Sequence, residues 1–279
     1  MISMVTGATG GMGRVIVREL ARRGGTVIAV ARSRVEFEPK NVEVMTADLS
    51  SLAEVRRLAA EFTAKHDALH LLVNNAGAHF RHRAISADGV EMHIAVNHLG
   101  GFRLTNLLRP ALRAGAPARV VNVVSAAMTD TRQVKIRRRP RPVSLEPAEL
   151  PDLNGERGFE PFTAYARAKL LTLMAGYHLA ETVDGVTVNA VNPGLAGTKI
   201  VDDMMPTFMR PFGGLVKRSL LTPEQSAAFI LRVATSPDLD GVTGRYFDRD
   251  VEARSPEISY DRALREWVWN SSLEFSEAR

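Results

Sequence analysis

The 279-residue sequence contains no cysteine. Disulfides, thiolate nucleophiles, cysteine-held zinc and iron–sulfur clusters are thereby excluded. It also lacks any apolar run near the roughly 20 residues that cross a bilayer as a helix. No secretory signal opens it: Met1-Ile2-Ser3-Met4-Val5-Thr6-Gly7 reads as a strand running into a turn. A soluble, cytoplasmic protein with no membrane span is the expectation. Negative charge is in the minority, with 31 Asp and Glu against 36 Lys and Arg, a net charge of +5. Such a surplus raises nucleic acid as a partner. The densest basic stretch, Arg137-Arg138-Arg139-Pro140-Arg141, has no aromatic side chain on which a base could stack. It is predicted to be a solvated loop, and no nucleic-acid partner is expected. His79 and His82 lie three apart with His93 and His98 nearby, but no carboxylate pairs with them, so no metal is expected.

What is present is an ordinary soluble composition, 45% apolar and 24% charged, in which strand-like runs alternate with helical patterns. Strands are predicted at Met1–Val5, Thr26–Ala31, Val42–Ala47, Leu69–Val73, Arg119–Val124, Val186–Val191 and Gly244–Phe247. Helices are predicted at Gly13–Arg23, Ser51–Lys65, Gly89–Arg113, Thr163–Val183 and Pro223–Thr235, with Ser51 and Glu54 as a capping box. The strands are apolar throughout, as when helices cover both faces of a sheet. The fold class is therefore α/β: a single Rossmann-type domain over 1–279, with a doubly wound parallel sheet. Two segments break the rhythm. Residues 126–162 form an Arg-, Pro- and Glu-rich insertion loop. Residues 194–222, with Met204, Met205 and Phe208, are apolar, broken by Pro and Gly, and placed like a substrate lid. Tyr177 and His178 read as packing residues, and Trp267 and Trp269 as core or interface anchors.

The first strand runs into Thr6-Gly7-Ala8-Thr9-Gly10-Gly11-Met12-Gly13 and then a helix. Glycines let backbone approach a phosphate, and the helix start offers free N–H groups and a positive dipole end. About twenty residues on, an NAD-binding chain would carry an acidic residue for the ribose hydroxyls. Arg32 stands there instead, Arg14 follows the last glycine, and Ser33 could add a hydroxyl. Guanidinium groups bind phosphate through charge-assisted hydrogen bonds, which favours NADP(H) as the cofactor. Glu36, past the strand end, is the rival ribose ligand.

Tyr165-Ala166-Arg167-Ala168-Lys169 places a phenol and an ammonium four apart, on one helix face. A nearby cation favours phenolate, so Lys169 is expected to lower the pKa of Tyr165 and fit it for proton exchange with a substrate oxygen. Ser125, ending the fifth strand, could hydrogen-bond the same oxygen. His79 and Phe80 follow the fourth strand at the ligand face and are candidate substrate contacts.

Taken in order, these residues resemble the short-chain dehydrogenase/reductase family over almost the whole chain. Thr6-Gly7-x-x-x-Gly11-x-Gly13 is similar to its nucleotide loop, Ala47-Asp48-Leu49 to the adenine-contacting segment, and Asn74-Asn75-Ala76-Gly77 to the motif ending the fourth strand. Asn97, Ser125, Tyr165 and Lys169 match the family's catalytic residues, Asn192-Pro193-Gly194 its nicotinamide turn, and Thr198 its carboxamide ligand. The cofactor set so implied is Thr6, Gly7, Thr9, Gly11, Met12, Gly13, Arg14, Arg32, Ser33, Asp48, Leu49, Asn75, Ala76, Gly77, Tyr165, Lys169, Pro193, Gly194 and Thr198.

Val96-Asn97-His98-Leu99-Gly100-Gly101-Phe102, the long interval between Ser125 and Tyr165, and the tail from Pro256 to Ser271 resemble the retinol-dehydrogenase-like and protochlorophyllide-reductase-like group. That group is usually NADP-linked. The resemblance implies an oxidoreductase that moves hydride between nicotinamide and a carbonyl or secondary alcohol, most simply in ketone reduction. The group's frequent N-terminal anchor is missing here, so the expected substrate is a lipophilic or secondary-metabolite carbonyl met in solution. Two alternatives stay open: a non-redox cyclisation, epimerisation or dehydration on the same site, and a non-catalytic NADP-binding regulator. Both monomer and homodimer are compatible with the sequence.

Overall fold

The central strands bury both faces, and the layers show why. The computed structural model describes residues 1–128, 154–156, 158–204 and 219–277. Within them the strands β1 (Ile2–Thr6), β2 (Thr26–Ala31), β3 (Val42–Thr46), β4 (Leu71–Asn74), β5 (Ala118–Val123), β6 (Val186–Asn192), β7 (Tyr246–Asp248) and β8 (Val251–Ala253) form one eight-stranded sheet in the order β3-β2-β1-β4-β5-β6-β7-β8. Every pairing is parallel except β7 with β8. This is the doubly wound sheet expected from the alternating pattern.

Successive side chains of a strand enter opposite layers. Met4, Ile28, Leu72 and Val120 join one apolar core, while Val5, Val27, Val73 and Val121 join the other. The first core is covered by α2 (Leu52–Lys65), α4 (Gly100–Leu107), α6 (Pro161–Thr182) and the C-terminal helix Arg262–Glu277. The second is covered by α1 (Gly11–Arg22) and the helix Pro223–Thr235, which starts in a full capping box between Thr222 and Gln225. Phe62 of α2 is completely buried, a placement worth roughly 1.5–3 kcal/mol in transfer free energy.

Three expectations change. The box at Ser51 forms only by half: Ser51 Oγ accepts from Glu54 N–H at 3.4 Å, but the Glu54 carboxylate turns back to the N–H of Asp48 at 2.8 Å. The predicted helix Gly89–Arg113 is broken into α3 (Met92–Ile94), a π-helical turn (Ala95–Leu99), α4 and α5 (Arg109–Ala114). Pro110 lies in the first turn of α5, where its missing N–H costs nothing. The tail adds two elements that periodicity did not reveal, β8 and the helix Arg262–Glu277. Trp269 of that helix is a core anchor, 7% exposed and edge-on to Phe102 at 5.0 Å, whereas Trp267 is 36% exposed.

Strand order reverses between β1 and β4, the position at which open α/β sheets bind ligands beyond their carboxyl ends. The seam is stitched there. Asn75 Nδ2 donates to the carbonyls of Thr6 (2.9 Å) and Gly7 (3.3 Å), and Ala76 N–H donates to Thr6 Oγ1 at 3.0 Å.

Candidate active site

A cleft of about 420 Å³ opens along this edge. Its floor is backbone. Gly7 sits at φ +65, and a Cβ added to Gly13 would come within 2.1 Å of the Gly7 carbonyl oxygen, so no side chain fits either place. α1 starts at Gly11 with no side-chain cap and no acidic residue in its first turn. Its leading N–H groups and dipole are thus left for an outside anion.

The ends of β2 and β3 form the next wall. Arg32 is exposed, lines the cleft, and has no ion-pair partner among the described residues. Asp48 and Leu49 line it too; Asp48 Oδ1 accepts from Ser50 N–H and Oγ at 2.9 and 2.8 Å, and Glu54 holds its backbone. Thr9, Gly11, Met12, Asn75, Ala76, Gly77 and Thr198 also line the cleft. Others from the predicted set do not. Arg14 lies on the outer face of α1 with its guanidinium 5.9 Å above the Phe37 ring, and Ser33 is exposed beside Arg32. The Thr6 hydroxyl is occupied inside the β1–β4 seam. Gly194 takes a positive φ in the turn after β6, packed toward Leu221.

The chemical groups come from three distant segments. Ser125 follows β5 and hydrogen-bonds the hydroxyl of Tyr165, which is buried on α6. One turn on, Lys169 is buried as well; its Nζ donates to the Val123 carbonyl at 2.9 Å and stands 5.9 Å from the Tyr165 ring centre. Burial dominates the electrostatics here. It pushes the Tyr165 phenol up to about 12 against a smaller opposing pull from Ser125, and it pushes Lys169 down to about 8. The expected lowering of the tyrosine by its lysine is therefore reversed: the ammonium is weakened by its own burial and aimed at a carbonyl, and Tyr165 is a neutral acid.

Asn97 lies on the π-helical turn and clasps Ala78 at both ends, accepting its N–H at 3.0 Å and donating to its carbonyl at 2.9 Å. Its own carbonyl accepts from Thr172 at 2.8 Å. His79 stands with its ring centre 6.0 Å from that of Tyr165, so the sequence-predicted substrate contact adjoins the chemical groups. His93, beside it, is fully buried. The backbone N–H of Phe80 donates to His93 Nε2 at 2.9 Å, and His93 Nδ1 pairs with Glu91 at 2.8 Å. Glu91, equally buried, was not singled out from sequence. A carboxylate two residues before a histidine carries no signal until both are seen to be enclosed.

Phe80 lines the cleft together with Met92, Val96 and Ile200, apolar residues likewise missed because they belong to no motif. Met204 ends α7 (Lys199–Met204) and packs against the small cluster of Phe162 and Tyr165. Met205, Phe208 and the rest of 205–218 in the predicted lid, with 129–153 and 157 of the insertion loop, lie outside the described residues.

The residues present fit a dinucleotide. The glycine floor leaves no room for side chains, the uncapped helix start suits a pyrophosphate, and the buried Asn75 Oδ1 lacks any protein partner.

Comparison with known proteins agrees with this geometry. Residues 2–135 match the family model of short chain dehydrogenases. Polyprenol dehydrogenase of Mus musculus is 36% identical over 99% of this chain and 84% of its own length. Retinol dehydrogenase 12 of Bos taurus is 32% identical over 98% of this chain and 85% of its own. A solved structure of an uncharacterized protein from Mycobacterium Paratuberculosis, 27% identical, superposes with a TM-score of 0.74 over 99% of this chain and 93% of that one. The chain belongs to the short-chain dehydrogenase/reductase family of oxidoreductases, in its retinol-dehydrogenase-like group.

Proposed function

We propose that this chain interconverts a lipophilic alcohol and its carbonyl compound with NADP(H). The observation that carries the reading is the meeting of Ser125, Tyr165 and Lys169 beside a glycine-floored cleft. In this reading Gly7, Gly11, Gly13 and the start of α1 hold the pyrophosphate. Arg32 takes the 2′-phosphate, with Arg14 of α1 and the neighbouring Ser33 as further contributors. Asp48, Leu49 and Asn75 flank the adenosine. Ala76, Gly77, Pro193, Gly194 and Thr198 border the nicotinamide. Bound nicotinamide supplies or receives the hydride.

The protein moves the proton. Ser125 donates a hydrogen bond to the substrate oxygen, and Tyr165 protonates it in the reductive direction. With its phenol pushed up to about 12, Tyr165 holds that proton at neutral pH, which favours its acting as the acid in carbonyl reduction. Lys169 adds positive potential and a donor for the ribose, and Asn97 fixes the Ala78 backbone after β4. His79, Phe80 and Met204 are the proposed substrate contacts. The apolar lining of Phe80, Met92, Val96 and Ile200, and relatives named for polyprenol and retinol, support an apolar substrate.

The test is cofactor turnover by the purified chain with a panel of apolar and polar aldehydes and ketones. NADPH oxidation faster than NADH oxidation, and faster with apolar carbonyls, is expected. No oxidation with any carbonyl would remove the enzyme, and a preference for NADH would remove the phosphate site.

A further inference from the structure

An enclosed polar pair adjoins the apolar lining of the cleft, and the proposed chemistry does not use it. Glu91 and His93 are both fully buried. Enclosing a carboxylate is costly unless donors surround it. Glu91 meets that demand. Its Oε2 accepts the N–H groups of His93 at 2.9 Å and Ile94 at 3.3 Å, which caps α3, and its Oε1 faces His93 Nδ1 at 2.8 Å. Its own N–H donates to Asn154 Oδ1 at 3.0 Å, which ties it to the returning end of the insertion.

These bonds fix the tautomer of His93. The backbone N–H of Phe80 can only donate, and it donates to Nε2 at 2.9 Å. Nε2 therefore presents its lone pair, and the ring proton sits on Nδ1, where it is donated to Glu91. The ring also meets the Phe80 ring edge-on at 5.2 Å and the Tyr165 ring at 6.3 Å. Phe80 and Met92, the first residue of α3, both line the cleft. One buried carboxylate thus holds two residues of the apolar lining, Met92 through the helix cap and Phe80 through the imidazole.

We infer that Glu91 and His93 are positioning residues for an apolar substrate: Glu91 sets the tautomer of His93, and that tautomer holds Phe80 in the cleft wall. This rests on the alcohol–carbonyl reading above and adds to it the device that shapes its substrate contact.

Glu91→Gln tests it with little change of volume. With the amide oxygen kept on the α3 cap, the NH2 group faces Nδ1, the ring proton must move to Nε2, and Nε2–H then opposes Phe80 N–H. With the amide turned round, the NH2 group opposes the N–H groups of both His93 and Ile94. The first arrangement has one conflict and the second two, so the first is expected. Nitrogen NMR of the imidazoles should show His93 protonated on Nδ1 in the wild type and on Nε2 in Glu91→Gln. In steady-state kinetics with farnesal, the KM for farnesal should rise about tenfold, the size of one lost hydrogen bond. The turnover number and the KM for NADPH should stay within about twofold, as when uniform substrate binding is lost. In a Phe80→Ala background, Glu91→Gln should add nothing further to the KM for farnesal, because its effect passes through Phe80.

A wild-type His93 protonated on Nε2 would overturn the inference without any variant, whether or not Glu91→Gln folds. So would an unchanged KM for farnesal in Glu91→Gln, an equal rise in the KM for NADPH, or the same rise in the Phe80→Ala background, which would make the pair a general support of the fold. A wild type that oxidises no NADPH with farnesal or any other carbonyl would remove the underlying reading and the positioning role with it. That failure is distinguishable, because the proton shift between Nδ1 and Nε2 would still be seen.

Discussion

The two halves of the cleft are built differently. The half formed by the ends of β1, β2 and β3 is mostly backbone: a glycine floor, an uncapped helix start, and one exposed guanidinium, Arg32. The half around Tyr165 is made of side chains: half-buried Ser125 after β5, and buried groups from α6 and from the loop after β4. There burial, rather than the nearest charge, sets the protonation of Tyr165 and Lys169. The first half is specified by shape and the second by solvation. The first should therefore break when volume is added, and the second when a single polar atom is removed.

The largest effect on cofactor binding is expected from adding volume. Gly13→Ala places a methyl 2.1 Å from the Gly7 carbonyl oxygen, so the turn must open. NADPH affinity should fall at least about a hundredfold, with lower stability of the kind strained positions show; titration of NADPH fluorescence and thermal melting check both. Unchanged affinity would show that the floor is not where the phosphates lie.

Removing a charge from the other half should act differently. Lys169→Met keeps the volume and removes a buried ammonium that donates to the Val123 carbonyl. Turnover is expected to fall roughly a hundredfold, in the range for lost acid–base assistance. Stability should hold or rise, because burying a charge opposes folding. Steady-state kinetics and urea unfolding of one preparation test the pair of outcomes, and lost stability with kept turnover would refute it.

Solvation also predicts acid sensitivity. His98 is buried between Thr172 and Ser272, and burial pushes its pKa down to about 3. As pH falls below about 6.5 the unfolded chain takes up a proton that the fold refuses, so stability is lost from there down toward pH 3. At pH 5 the loss from this residue is about 2 kcal/mol. His98→Gln should flatten the pH dependence of urea unfolding between pH 7.5 and 5 by that amount. An unaltered slope would mean that His98 is not the group responsible.

The smallest effect belongs to the exposed cation. Arg32→Asp should reduce the preference for NADPH over NADH about tenfold, the size of one solvent-screened charge-assisted contact. It should leave the turnover number with saturating cofactor unchanged. Ratios of kcat/KM for the two cofactors measure it, and an unchanged ratio would move the phosphate elsewhere.

The same contrast explains what was legible in the sequence. The glycine turn, Arg32 and Asp48 belong to short local patterns whose physics is contained in a few adjacent residues. The sheet was legible because β-branched apolar runs alternate with helical ones. β8 was not, since it has three residues and Val251 is 62% exposed. The C-terminal helix was hidden because only one stripe of it, around Val268 and Trp269, is buried beneath a polar surface. Tyr165, Ser125 and Lys169 could be named from order along the chain, but their electrostatics could not. The direction of the tyrosine's shift depends on how deeply α6 lies, and the Glu91–His93 pair exists only once the β4 loop is folded against Asn97.

The most direct test of the whole account is Tyr165→Phe, which deletes one oxygen from a residue outside the cleft floor. Turnover with NADPH and an apolar aldehyde is expected to fall by about a thousandfold or more, while the NADPH dissociation constant and the melting temperature stay at wild-type values. Turnover within tenfold of wild type would contradict it, because the proton would then be coming from somewhere else.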